Sequence, residues 1–230
     1  MNRKTKFFVA ATIASGACLV VSCLVQEAKT APTPEFVAFL LLSLLASTRK
    51  VHLPGITSTI SLNFLFTLIA VALFPFSETV LLASLGCVVQ CLWRSRTRAK
   101  LVQVAFNVAV LALSSGAAYR LAHWITGSDA HTAVLMTIAG SFYLTADTLL
   151  VSGVLSLVEG KSLFVVWRQC YLWSFPYYLA GAAFAGLMVE TNRSAGWLVS
   201  LLVLLPMGFI YVFYHLCVDR AAKRMQPVLR

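Results

Sequence analysis

Residues 49–100 read RKVHLPGITSTISLNFLFTLIAVALFPFSETVLLASLGCVVQCLWRSRTRAK. Two apolar runs, 56–74 and 79–93, are separated by a short turn bearing Glu78, and basic residues crowd both far ends. A pair of apolar helices joined in this way returns the chain to the side it left. Working outward, apolar runs at 7–25, 36–47, 101–124, 133–157, 171–189 and 197–217 complete a set of about eight candidate spans, judged against the ~20 residues that a helix needs to cross a bilayer. With the amino terminus inside, Arg3, Lys4, Lys6, Arg49, Lys50, Arg94, Arg96, Arg98, Lys100, Lys161, Arg168, Arg220, Lys223, Arg224 and Arg230 all fall in the cytoplasm. Only Lys29, Arg120 and Arg193 remain outside, where Glu27, Glu35, Glu78, Asp129 and Glu190 also lie. The positive-inside rule therefore predicts an all-α, polytopic transmembrane bundle with both termini cytoplasmic.

Composition points the same way. A chain of 230 residues that is 60% hydrophobic and 11% charged has more apolar surface than one soluble core can hide. Its net charge of +10 is explained by the cytoplasmic loops, so no nucleic-acid partner is implied. The expected organisation is one integral membrane domain over 1–218 and a short basic cytoplasmic tail over 219–230. At the amino end, basic residues followed by an apolar run that reaches Cys23 fit either an uncleaved first span or a lipoprotein signal lipidated at that cysteine. The second span, Phe36 to Ser47, is short. It is extended by Thr48 to His52, tilted, or re-entrant, the last leaving seven spans. The elbow Leu53-Pro54-Gly55 after it interrupts helix, and irregular backbone at membrane depth is tolerated only under protein or beside a watery cavity.

Polar residues inside the spans define the candidate site, because lipid offers them no partners. Asn63 follows a Ser/Thr-rich stretch in the third span, and Gln103 and Asn107 share a face of the fifth. Interhelical hydrogen bonding and a polar lining for a small ligand are both open to them. Asp147 lies ten residues from the cytoplasmic end of the sixth span, about 15 Å deep. A charge there costs about 2.5–3.5 kcal/mol, so Asp147 is expected to face the interior, with Tyr143 and Thr145 contributing to its polar surroundings. In the seventh span, Trp167, Tyr171, Trp173, Phe175, Tyr177 and Tyr178 surround Pro176. Trp167 fits an interfacial belt, whereas Tyr177 and Tyr178 fit a deeper, ligand-facing wall at a proline kink. Small residues from Gly181 to Gly186 allow close packing.

Enzyme signatures are absent: there is no H-E-x-x-H, P-loop, G-x-S-x-G or C-x-x-C. Cys18, Cys23, Cys87, Cys91, Cys170 and Cys217 lie in or beside apolar runs and read as packing residues. Cys87 and Cys91 share a helix face without a nearby histidine or carboxylate in sequence, so neither a metal nor another cofactor is expected. His123 and His131 flank one external loop, the other histidines are scattered, and no internal repeat is evident.

The segment from Arg49 to Tyr119 resembles the membrane-embedded sensor regions that precede diguanylate cyclase (GGDEF), HD-type phosphohydrolase or histidine kinase domains in bacteria. The likeness is carried by the Leu53-Pro54-Gly55 elbow, Ser61-x-Asn63-Phe64, Gln90-x-x-Trp93 and Val102-Gln103-x-x-Phe106-Asn107. More distantly, the layout is similar to the substrate-binding subunits of energy-coupling-factor vitamin transporters. In the sensors the final span runs into a charged linker, which Tyr211 to Met225 (YVFYHLCVDRAAKRM) resembles. An output domain that is lost, supplied by a partner or cut from a shortened sequence is then implied. The expectation is a multi-pass protein of the bacterial inner membrane, without catalysis of its own. It binds a small or apolar ligand through Asn63, Gln103, Asn107, Asp147, Tyr177 and Tyr178 and acts on a cytoplasmic signalling protein. The alternative is a solute-binding subunit working with the coupling subunit of a separate ATPase. Oligomeric state is not legible.

Overall fold

The computed structural model describes residues 2–29, 31–48, 50–52, 59–61, 63–93, 100–127, 131–171 and 175–202. Their regular structure is helical apart from one short ribbon. The order is α1 (Arg3–Glu27), α2 (Pro34–Ser47), β1 (Lys50–His52), β2 (Thr59–Ser61), α3 (Asn63–Leu73), α4 (Phe76–Leu92), α5 (Leu101–Thr126), α6 (Thr132–Glu159), α7 (Leu163–Tyr171), α8 (Phe175–Ala195) and α9 (Trp197–Leu202). Among the described residues three helices, α1, α5 and α6, are long and apolar enough to cross a membrane. Helices α2, α3 and α4 are apolar but shorter.

Local chemistry sets the ends. Thr33 Oγ1 accepts from Phe36 N–H at 3.2 Å and Pro34 fills the first turn of α2, where a missing N–H costs nothing. Helix α6 stops at Gly160, whose φ of 69° is left-handed and available to glycine without steric penalty. Between α3 and α4, Pro75 forces a break, and the freed end is closed by Thr79 Oγ1 donating to Ala70 O at 2.9 Å.

The third expected span is corrected. Residues 59–61 are extended rather than helical: β1 and β2 pair antiparallel, with Val51 opposite Ile60, and the helix α3 is Asn63–Leu73. The physical reason is in the sequence, since Thr59 and Ser61 carry side chains that compete for backbone groups and Thr59 and Ile60 are β-branched. The Leu53-Pro54-Gly55 elbow lies outside the described residues, as do Arg49, Trp173 and the tail from 203 onward. The expected seventh span, 171–189, takes in Tyr171 at the end of α7 and most of α8, with residues 172–174 between them outside the described residues.

The chain divides into two compact units, Met1–Gly186 and Leu187–Arg230. In the first, α5 packs on α6, α4 and α1. Val9, Phe106 and Val110 form one buried cluster, and Cys23, Val80, Leu81 and Ala112 another. Every residue of α3 from Asn63 to Val71 is buried. Thr5 Oγ1 donates to Leu157 O at 3.2 Å, placing the start of α1 beside the end of α6. Ser77 Oγ donates to Glu27, placing the end of α1 beside the start of α4. In the second unit, the last turns of α8 lead through Gly196 to α9, where Ser200 Oγ donates to Trp197 O at 2.8 Å.

Close helix contacts depend on missing side chains. A Cβ on Gly16 would collide with the Cα and Cβ of Ala109, and one on Gly181 would enter the Phe64 ring. Backbone cannot rotate away as a side chain can. Gly16→Ala is therefore expected to cost about 1–3 kcal/mol through overpacking. Gly186→Ala, whose new methyl would meet Met136 Cγ at an ordinary 3.5 Å, is expected to fall within about 0.5 kcal/mol of wild type. Thermal unfolding of the two variants in detergent checks the contrast, and equal losses contradict it.

Candidate functional site

Asn63 is the first residue of α3 and is 1% exposed. Its Oδ1 accepts from Ser43 Oγ of α2 at 2.7 Å, and its Nδ2 donates to Ala83 O of α4 at a longer 3.4 Å. Gly86 makes room for the amide, since any Cβ there would strike Asn63 Oδ1 and Nδ2. One side chain thus joins three helices. One turn on, Thr67 Oγ1 donates to Asn63 O at 3.1 Å, and the phenol of Tyr143 on α6 interacts with Thr67.

Tyr143, 2% exposed, continues this polar line towards Asp147, which follows four residues later and so shares its helix face. The Tyr178 hydroxyl of α8 donates to Asp147 Oδ2 at 3.4 Å, long for an O–H···O bond. Tyr178 also lies against Phe64, with ring centroids 4.8 Å apart, and its centroid is 6.4 Å from that of Tyr143. Cys87 of α4 is within electrostatic range of Asp147. Asp147 itself is partly buried, deep in α6 and roughly 18 Å from the carboxyl end of that helix.

Of the expected site residues, Asn63, Asp147 and Tyr178 belong to this connected group. Gln103 and Asn107 are exposed and do other work. Gln103 Oε1 accepts from the Lys100 backbone N–H at 3.2 Å, capping the amino end of α5. Asn107 Nδ2 donates to Cys91 Sγ at 3.6 Å, and Cys91 lies 4.0 Å from Cys87 Sγ. The Tyr177 side chain is outside the description. Pro176 follows Phe175 in α8, and residues 172–174, on which the expected proline kink turns, lie outside the described residues. Thr145 is exposed, its hydroxyl turned back to Ser141 O at 2.7 Å, so it adds nothing to the surroundings of Asp147. His123 stacks on Tyr119 at 4.2 Å between centroids, and residues 128–130 of the loop towards His131 are outside the described set.

Ser43, Thr67 and Thr148 were not singled out by sequence. Thr148 Oγ1 accepts from Trp167 Nε1 at 2.9 Å, so α7 is held to α6 by the indole that the sequence assigned to an interfacial belt. A hydroxyl every third or fourth residue facing one helix side was the available signal. Among the described residues no group of three His, Cys, Asp or Glu side chains has the arrangement of a metal site.

The geometry defines a class: a helical protein with membrane-crossing potential and an interior line of hydrogen-bonding side chains ending at an aspartate. No protein-family model, no curated protein and no solved structure matches the chain.

Asn63→Leu removes the acceptor of Ser43 and the donor to Ala83 while filling similar space, so it is expected to lower stability by about 1–3 kcal/mol. Ser43→Ala breaks one bond only and should cost about 0.6 kcal/mol, the mean for interhelical polar contacts. Chemical or thermal unfolding in detergent ranks the two; a Ser43→Ala loss equal to that of Asn63→Leu sinks the account of a three-helix junction.

Proposed function

We propose that this chain is a sensory or regulatory module of a bacterial inner membrane, crossing it about eight times with both ends in the cytoplasm. A small ligand binds beside Asp147 and Tyr178, and its binding shifts the final span against a cytoplasmic signalling partner. The observation that carries this reading is the weakly bonded Asp147–Tyr178 pair deep between α6 and α8. A carboxyl with a single long hydrogen bond retains acceptor capacity, and ionisable residues at membrane depth face interiors or pathways rather than lipid. The mixture of phenol, carboxyl and aromatic ring suits a ligand with an apolar body and one or two polar groups.

The short α3 is compatible with a membrane crossing. Eleven helical residues rise roughly 16 Å, and the extended Thr59–Ser61 adds about 10 Å, close to the ~30 Å hydrocarbon core. Its burial on every side removes it from lipid, as irregular backbone at that depth requires.

Topology is testable with reporter fusions. Fusions after Arg98 and after Arg230 are expected to report cytoplasm, and one within 127–132 the outside. An external signal after Arg98 overturns the orientation.

Ligand binding is tested by native mass spectrometry of the protein purified from membranes. A bound small molecule is expected with wild type, retained or weakened in Asp147→Asn, which keeps shape and hydrogen bonding, and lost in Asp147→Leu. Absence of any bound molecule, or equal retention in the Leu variant, removes the site. Truncation after Asp219 should reduce recovery of the cytoplasmic partner. Recovery of a coupling subunit and ATPase instead of a signalling protein places the chain in the transport class.

A further inference from the structure

Three helix ends each carry a glutamate to one end of the bundle. Glu27 closes α1, Glu35 is the second residue of α2, and Glu78 is the third residue of α4. These groups cannot simply drift apart. Ser77 Oγ donates to Glu27, holding it at the start of α4. The α2 end is pinned by Phe36 and Phe39, whose rings pack edge-on to Phe74 at 5.5 and 5.6 Å between centroids.

Glu78 is the anomaly. It lies just outside the apolar run 79–93, is 6% exposed, and has no hydrogen-bond or ion-pair partner among the described residues. A glutamate at the third helical position normally reaches back to the backbone N–H of the capping residue. Here that residue is Pro75, which has none. Burial first, then the carboxylates of Glu27 and Glu35, push the Glu78 carboxyl up from its ordinary value.

The elements packed on α4 bring few compensating charges. Helix α1 contributes Glu27 and the thiol of Cys23, α2 contributes Glu35, and α3 has no titratable side chain. On α5, Tyr119, Arg120 and His123 lie towards the same end. The Arg120 guanidinium is over the Phe76 ring, 4.5 Å from its centroid, and His123 stacks on Tyr119. Because no metal-type cluster is present among the described residues, a bare divalent cation is a poor occupant.

We propose that Glu78 is a proton-binding site, taking a proton from the medium as it acidifies and thereby drawing the ends of α1, α2 and α4 together. Proton uptake converts one carboxylate to a neutral carboxyl, removes a like-charge repulsion, and creates an O–H donor for a neighbouring carboxylate. If the protein is the membrane sensor proposed above, acidity on that side is one signal it reads; the titration itself stands without that reading.

The sign follows from the raised value. A carboxyl easier to protonate in the folded state destabilises the fold when ionised, so stability is gained as pH falls through its folded pKa. The purified full chain in detergent is heated at intervals from pH 8 to pH 5. Wild type is expected to unfold roughly 2–4 °C higher on acidification. Glu78→Gln should remove that slope and unfold above wild type at pH 8. Glu27→Gln should move the slope to lower pH. Infrared difference spectra should show a protonated-carboxyl band that Glu78→Gln abolishes, a readout that does not depend on unfolding. An unchanged slope and band in Glu78→Gln overturn the proposal. So does a rise on adding Ca²⁺ or Mg²⁺ at pH 8 that matches the rise on acidification, since the site then takes a metal ion. Small-molecule retention in the Asp147 variants is a separate measurement, so either proposal can fail alone.

Discussion

The amide of Asn63 is the joint on which the centre of the structure depends. It begins a helix buried on every side from Asn63 to Val71, where an unmet donor or acceptor has no water to turn to. Its oxygen takes the Ser43 hydroxyl and its nitrogen reaches Ala83 O. Gly86 is the corresponding absence, because any larger residue would occupy the space of the amide. Two polar bonds and one missing methyl group therefore fix how α2, α3 and α4 meet, and the apolar side chains of α3 fill around them.

From that joint the polar interior continues in steps set by helix geometry. Thr67 is one turn beyond Asn63, Tyr143 faces it from α6, and Asp147 is one turn beyond Tyr143. The line ends at the long Tyr178 bond. A bond that is poorly made is also one that a ligand can replace at small cost. The three glutamates at another part of the bundle follow a different logic. There the local rule for capping an α-helix fails because Pro75 carries no N–H, and the carboxyl of Glu78 is left among its own kind.

Much of the helical architecture was readable from apolar runs alone. The runs 7–25, 101–124 and 133–157 became α1, α5 and α6 with ends extended by a few residues, because long unbroken hydrophobic stretches admit little besides helix. The interior position of Asp147 was readable too, since a carboxyl in the middle of such a stretch has few tolerable places. The ribbon at Lys50–His52 and Thr59–Ser61 was not read, although Thr, Ser and Ile in alternation allowed it. The expected kink at Pro176 turns on whether helix exists before it, and residues 172–174 lie outside the described residues.

What the sequence determined by itself is therefore the three long helices and the residues that lipid or a dry core would not leave unpaired. Which of these residues meet was decided only in three dimensions. Gln103 and Asn107 look from spacing like companions of Asp147, yet one caps its own helix and the other turns to Cys91. Ser43 and Thr67 look like ordinary small polar residues and are the ones that meet Asn63 and Tyr143. Helical periodicity assigns a residue to a face of its own helix, whereas the partner of that face depends on how neighbouring helices cross. Those crossings are set by the close approaches at Gly16, Gly86 and Gly181, contacts between residues far apart in the chain.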